Sequence, residues 1–302
     1  MDVVRGHRSV SAWTGAAVAI GNFDGGHAGH RALLARAREL AAQDGLAAVA
    51  LTFDPHPAAV LSPHGAPPRV CSRVRRLELL AEGGLDATVV EPFTRELAAL
   101  SPEAFVDDIV LGALRARAIV VGYDFTYGQG RAGTTLALRA HGARAGARVE
   151  IVAPVEVGGE VASSTKIRAY LRAGDLPGAE RLLGRPWDID GTVVHGAQRG
   201  RAIGVPTANL APESDLALAP GIYAVRLDGL PAVASLGTNP TFVDQGGLVL
   251  EVHVLDWQGD LYGRRVRTTF VSRIRDEQKF DSVDALILQI ERDIAHARLA
   301  LR

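Results

Sequence analysis

Apolar residues follow two different rhythms along this chain. Up to about Leu183, continuous apolar runs alternate with stretches in which apolar residues recur every three or four positions. Ala17–Ile20 is one such run, ending at Gly21-Asn22, and Arg31–Ala42 then carries Leu33, Leu34, Ala37, Leu40 and Ala41 at helical spacing. Further strands are predicted at Ala47–Phe53, Ala87–Val90, Ala118–Val121 and Val149–Val152. Helices are predicted at Arg75–Ala81 and at Pro102–Leu114, the latter with Ser101 as its N-cap. Unalternating strands separated by helices predict a parallel sheet covered on both faces.

After Leu183-Gly184-Arg185-Pro186 the rhythm becomes short alternating segments, at Gly191–Val194, Gly221–Leu227, Ala232–Leu236, Leu248–Leu255 and Val266–Val271. Broken by Gly, Pro and Asn, they predict a small antiparallel barrel or sandwich. Val283–Leu299, apolar at Leu286, Ile287, Ile290, Ile294 and Ala295, reads as an amphipathic closing helix. The expected domains are 1–185 and 186–302, in line with a prior of about two domains for this length.

Composition removes several classes. With 47% hydrophobic and 22% charged residues the chain is neither disordered nor collagen-like. Its 33 basic and 34 acidic residues leave a formal net charge of -1, which argues against a nucleic-acid partner. Cys71 is the only cysteine, so neither an internal disulfide nor a thiolate zinc cluster can form. No apolar run approaches the ~20 residues of a membrane span, and the first residues lack a signal-type apolar core. The expectation is a cytoplasmic chain with no membrane partner, weak homo-oligomerisation being left open. Lys166 and Lys279 are the only lysines, and neither follows a glycine. A P-loop is therefore absent, and any nucleotide is held by other means.

Gly21-Asn22-Phe23-Asp24-Gly25-Gly26-His27-Ala28-Gly29-His30 lies between a buried strand and a helix start. Helix starts present unpaired N–H groups and positive partial charge, which suit phosphate. His27 and His30 are spaced to address one anion, with Gly21, Phe23 and Asp24 in the same turn. Ser163-Ser164-Thr165-Lys166-Ile167-Arg168 offers hydroxyls and cations at another helix start, a second phosphate clamp. Taken singly, each stretch is as well explained as loop histidines or as a plain N-cap.

Together these two stretches resemble the nucleotidyltransferase superfamily, marked by His-x-Gly-His and a later Ser/Thr-rich segment ending in Arg. Thr52-Phe53-Asp54-Pro55-His56-Pro57, Gly122-Tyr123-Asp124-Phe125-Thr126-Tyr127-Gly128 and Gly184-Arg185-Pro186 are similar to segments of the prokaryotic bifunctional FAD synthetase family. In the second half, Gly200-Arg201-Ala202-Ile203-Gly204-Val205-Pro206-Thr207-Ala208-Asn209 resembles the riboflavin kinase signature. Gly237–Phe242, Leu250–His253, Leu261–Gly263 and Arg275–Phe280 follow in the family's order. The resemblance implies a Rossmann-like α/β nucleotidyltransferase domain followed by a kinase barrel. It implies phosphorylation of riboflavin to FMN and adenylylation of FMN to FAD, with ATP and Mg²⁺.

The roles it implies are specific. Glu251 would be the kinase base, and strand alternation sets Glu251 and His253 opposite Leu250, Val252 and Val254. A poor nucleophile such as a ribityl hydroxyl needs such a carboxylate. Thr207 and Asn209 would take Mg²⁺ and phosphate, with Gly200 and Gly204 in the flap. The FMN phosphate needs no base, so His27, His30 and Arg168 would position anions and absorb charge. Ser163, Ser164 and Thr165 would bind phosphate. Phe53, Pro55, His56, Pro57, Asp124, Phe125 and Arg275 would contact flavin. Two departures stand out: Gly26 replaces a usually bulky apolar residue, and Tyr123 a commonly acidic one. They favour an alternative, a flavin-binding or regulatory relative keeping one reaction. Gly128–Gly133 fits G-x-G-x-x-G but begins too far past its strand for a dinucleotide fold, and is expected to be a loop.

Overall fold

A computed structural model describes residues 1–11, 13–62, 65–196, 204–238 and 248–302. The chain packs as two units, Met1–Pro67 with Arg76–Ala162, and Pro68–Arg75 with Ser163–Arg302. In the first, β1 (Asp2–Arg5), β2 (Ala16–Ile20), β3 (Ala47–Asp54), β4 (Ala87–Pro92) and β5 (Ala116–Gly122) join a six-stranded sheet. A short ribbon, β6 (Thr126–Tyr127) with β7 (Gly133–Thr134), precedes the last sheet strand, β8 (Arg148–Val152). The order is β1-β4-β3-β2-β5-β8, and every pairing is parallel. β1 is a strand that hydrophobic pattern did not predict, its four residues carrying two valines between polar ends.

Residue size sorts the two faces of this sheet. Ala17, Ala19, Ala48, Ala50 and Ala118 face helix α1 (Ala28–Asp44), whose Leu33, Leu34, Ala37 and Leu40 approach closely over these small residues. Val18, Ile20, Val49, Leu51, Val89, Ile119 and Val121 face the other way, onto Phe105, Val106, Ile109 and Leu114. Each large aliphatic side chain buried here is worth about 1.5–3 kcal/mol. The helix expected over Pro102–Leu114 is α-helical only at Pro102–Ala104, with Ser101 capping through the Ala104 N–H at 3.1 Å. Phe105–Ala113 is instead a π-helix. Gly112 permits the wider turn, since a β-carbon there would meet the Asp107 carbonyl at 2.8 Å.

The first unit also holds a short two-stranded ribbon, β9 (Glu156–Val157) with β10 (Glu160–Val161). In the second unit β11 (Asp188–Val194), β12 (Ala208–Pro212), β13 (Gly221–Leu227), β14 (Leu230–Thr238), β15 (Leu248–Val254) and β16 (Arg265–Arg275) close a barrel. Its order is β11-β12-β15-β14-β13-β16, antiparallel throughout. The closing helix, Val283–Ala300, packs Ile294, Ala297 and Leu301 against Ala224, Val233, Val271 and Ile274.

Packing divides the chain elsewhere than the change of rhythm does. Helices Ser164–Ala173 and Leu176–Leu183 and the segment Pro68–Arg75 belong with the barrel. Buried polar contacts account for this: the Trp187 indole donates to the Val70 carbonyl at 2.7 Å and Ser72 to Asp190 at 2.8 Å. Arg75 pairs with Asp188 at 3.0 Å, and Arg168 donates to the Pro68 carbonyl at 2.7 Å.

Candidate active sites

In the first unit the chain turns back on either side of β2: β3 and β4 lie on one side, β5 and β8 on the other. Ligands of open parallel sheets bind where the order reverses, outside the carboxyl ends of the strands. The turns there are Gly21–Gly26 and Gly122–Asp124. Gly21 donates to the Leu51 carbonyl at 3.1 Å, and a β-carbon on it would meet the Phe23 ring at 3.2 Å. Phe23 is buried with φ 51, a left-handed conformation costly for a side-chain-bearing residue. Asp24 is buried in the same turn. Gly26 has φ +60 with Leu79 3.1 Å from a notional β-carbon, so glycine suits this backbone.

His27 caps α1: its Nδ1 accepts the His30 N–H at 3.4 Å. A neutral His27 therefore carries its proton on Nε2, as a donor. The His27 and His30 rings stack at 3.6 Å with 22° between planes, and Phe23 meets His30 edge-on at 5.3 Å. Burial, then the charges of His27 and Arg31, holds the His30 imidazole well below its ordinary value of 6.5. It is uncharged at neutral pH, and its buried Nδ1 has no hydrogen-bond partner among the described residues.

Phe53 is buried at the end of β3, edge-on to Phe93 at 5.7 Å. Pro55-His56-Pro57 forms a capped turn: the Ala58 N–H donates to His56 Nδ1 at 3.1 Å, and Pro57 opens helix α2 (Pro57–Leu61). Asp124 is exposed, as is Tyr123, and Phe125 stacks on Tyr127 at 5.5 Å. Gly128–Gly133 is a 3₁₀ turn, Gln129–Arg131, between β6 and β7 rather than a strand-to-helix phosphate loop.

Ser163–Arg168 lies in the second unit. Ser163 caps its helix by accepting the Lys166 N–H at 3.3 Å, with Ser164 and Thr165 in the first turn. Arg168 is buried.

On the barrel, Asn209 stands opposite Glu251 across β12–β15, and Glu251 opposite Ser235 across β14–β15. Leu250, Val252 and Val254 are buried while Glu251 and His253 are half-buried, as alternation predicts. Asn209 is buried with its amide against Gly196, where a β-carbon would stand 2.1 Å from Nδ2. Thr207 is half-buried just ahead of β12, and the His253 Nδ1 bonds the Pro206 carbonyl at 2.8 Å. Gly204 has φ +78 and open space beyond it, whereas Gly200 lies outside the described residues, as do 239–242 of the Gly237–Phe242 motif. Arg275 gives its guanidinium to buried Asp293, at 2.7 to 3.1 Å, and to the Asp276 carbonyl at 2.8 Å.

These oxygens fit a hard cation. The Thr207 hydroxyl and the Asn209 amide oxygen are the partial set that magnesium takes when phosphates and water complete its shell. Among the described residues no three His, Cys, Asp or Glu side chains converge.

Arg76, a buried cation that donates to the Asn22 carbonyl in the Gly21–Gly26 turn, was not among the residues expected at this site. Its signal was present: in helix α3 (Arg73–Glu82) it falls four residues before Leu80, on the apolar stripe.

Residues 9–166 match the family model for FAD synthetase, and residues 183–301 that for riboflavin kinase. Proteins of Pseudomonas fluorescens and Escherichia coli (strain K12), both named bifunctional riboflavin kinase/FMN adenylyltransferase, are each 39% identical over 99% of this chain and 97% of theirs. A crystal structure from Streptococcus pneumoniae, described as a macrolide-efflux protein, superposes with a TM-score of 0.87 at 33% identity over 99% of both chains. No described helix of the present chain is long and apolar enough to cross a membrane.

Proposed function

The chain belongs to the family of bifunctional riboflavin kinase/FMN adenylyltransferases, and from that premise we propose that it converts riboflavin to FMN and FMN to FAD, consuming ATP at each step. Residues 1–185 would carry the adenylyl transfer and 186–302 the phosphorylation. The observation that carries this reading is the division of donor chemistry: a stacked imidazole pair at a helix start in one unit, with His30 uncharged, and Asn209 opposite Glu251 in the other. A cytoplasmic setting fits a chain with a single cysteine and ATP as co-substrate.

In the kinase half, Glu251 accepts the proton of the ribityl 5′-hydroxyl as its oxygen attacks the γ-phosphorus and ADP leaves. Asn209, whose amide lies against the bare backbone of Gly196, orients the phosphate end of the reaction. Thr207 and Asn209 would hold Mg²⁺, which when bound neutralises charge on the phosphate oxygens. Gly204 gives its segment a left-handed turn, and the flap role expected of Gly200 falls outside the described residues.

In the adenylyltransferase half the nucleophile is an FMN phosphate oxygen. It attacks the α-phosphorus, the bond to the bridging oxygen breaks, and pyrophosphate departs. His27, donating from Nε2, and His30 would contact phosphate oxygens together with the first N–H groups of α1. An uncharged His30 contributes a hydrogen bond rather than a charge. Positive charge is assigned to Arg168, and phosphate contacts to Ser163, Ser164 and Thr165. Phe53, Pro55, His56, Pro57, Asp124 and Phe125 are assigned to the flavin. Arg275, committed to Asp293, would act on the flavin by holding its own loop in place.

The test is a pair of variants. Glu251→Gln is expected to lower FMN formation by about 10²-fold or more while FAD formation from FMN persists. His30→Ala is expected to do the reverse. Products are resolved by chromatography, and equal loss of both activities in both variants would overturn the assignment.

A further inference from the structure

Arg76 occupies a place where helix periodicity asks for an aliphatic side chain. It shares the inward stripe of α3 with Leu80, is 6% exposed, and carries a full charge. A buried guanidinium is costly unless its donors are taken up. Its Nη1 donates to the Asn22 carbonyl at 3.2 Å and to the Phe53 carbonyl at 3.1 Å, and Nη2 stands 3.7 Å from the Asp54 carboxylate. The Thr52 hydroxyl donates to the same Asn22 carbonyl at 3.2 Å.

Both carbonyls belong to functional turns. Asn22 precedes Phe23, whose left-handed backbone sets its ring against Gly21 and His30. Fixing the Asn22 carbonyl fixes the plane of the Asn22–Phe23 peptide, and so the entry to the histidine turn. Phe53 is the last residue but one of β3 and begins the segment assigned to the flavin. One planar cation thus ties the ends of two neighbouring strands, β2 and β3, at the point where each hands over to its ligand-binding turn.

We propose that Arg76 is a positioning residue for adenylyl transfer, holding the nucleotide turn and the flavin wall at a fixed separation. It touches neither substrate; it acts through the Asn22 and Phe53 peptides. The inference rests on the adenylyltransferase reading of the first unit. Both bonds leave one nitrogen, Nη1, and the rigid plane of the guanidinium sets Nη2 toward Asp54 at the same time, an orientation a freely rotating ammonium does not fix.

The experiment uses the full chain with Arg76→Met and Arg76→Lys. FAD formation is followed with ATP and FMN varied separately, and riboflavin phosphorylation is measured on the same preparations. The expected result is a rise in KM for both ATP and FMN and a fall in kcat for FAD formation of about 10- to 100-fold. Arg76→Lys recovers part of this loss, and FMN formation is unchanged in both variants. An arginine that serves stability alone would reduce the active fraction and leave both KM values in place. Unchanged KM values, or a change in only one of them, would overturn the proposal. If Arg76→Met fails to fold, Arg76→Lys decides by the same two KM values. If the wild-type chain itself makes no FAD from FMN, the adenylyltransferase reading fails first, a result distinct from any shown by the variants.

Discussion

Replacing Gly196 by alanine probes the kinase half through a single methyl group. An ideal β-carbon there would stand 2.1 Å from Asn209 Nδ2 and 2.4 Å from its Cγ. Gly196 is not among the residues of positive φ, so alanine suits its backbone and the effect is steric. Reaching ordinary contact at 3.4 Å requires the amide to retreat by about 1.3 Å. Asn209 is 9% exposed, so its side chain turns away from its place opposite Glu251 rather than yielding in place. Displacing a positioning group by about 1 Å costs on the order of 10²-fold in rate. Gly196→Ala is therefore expected to slow FMN formation by about 10²-fold and to leave FAD formation from supplied FMN untouched. Chromatography of flavins from riboflavin plus ATP, and separately from FMN plus ATP, measures both. The clash needs the Asn209 amide, so Gly196→Ala should add little once Asn209→Ala is present. FMN formation within about twofold of wild type in Gly196→Ala would refute the reasoning.

Two further outcomes follow from buried charges. Asp293 is 2% exposed and receives Arg275 twice over, with Gln289 adding a bond at 2.9 Å. Asp293→Asn leaves that guanidinium without its counter-charge and should cost about 3–5 kcal/mol, seen as a lowered Tm. The double replacement Arg275→Met/Asp293→Leu should cost much less, and an equal cost would contradict the argument. His30 titrates below 6.5 in the folded chain but near 6.5 when unfolded, so between those values the unfolded state binds the extra proton. Stability conferred by its burial is present above 6.5 and falls with pH below it, by up to about 1.4 kcal/mol per unit. Denaturant titrations of the first unit should show a shallower acid-side loss in His30→Gln; an unchanged slope would exclude His30 as the source.

Sequence pattern exposed whatever has a period. The β2, β3 and β5 runs, the α1 stripe and the alternation about Glu251 all repeat a hydrophobic spacing, and each is found within a few residues of its expected limits. What pattern could not express is contact between distant segments. Pro68–Arg75 joins the barrel unit because Trp187, Asp188 and Asp190 supply partners more than a hundred residues away. The π-helix runs through Gly112, where a β-carbon would crowd the Asp107 carbonyl, inside an otherwise ordinary apolar stripe. His27 and His30 were legible as a pair, but their stacking and the loss of His30's charge arise from burial among Phe23 and the α1 backbone. Arg275 was legible as a motif residue, while its partner Asp293 sits on another element with nothing in its local pattern to mark it.

The barrel's own packing decides where its chemistry can occur. Leu250 and Val252 point inward with Leu210, leaving the interior apolar and filled. Chemistry at Glu251 then uses the outer face. The closing helix takes the part of that face formed by Ala224, Val233, Val271 and Ile274, which lie on β13, β14 and β16. None of the strand residues it covers belongs to β12 or β15, so Asn209, Glu251 and His253 project outside that apolar footprint. Strand alternation has a period of two, so slipping β15 by one residue would bury Glu251 and expose Leu250 and Val252. The register that makes the barrel stable is therefore the register that presents the carboxylate. A kinase base at Glu251 asks no sacrifice of the fold, unlike the strained Phe23 turn on which the other half depends.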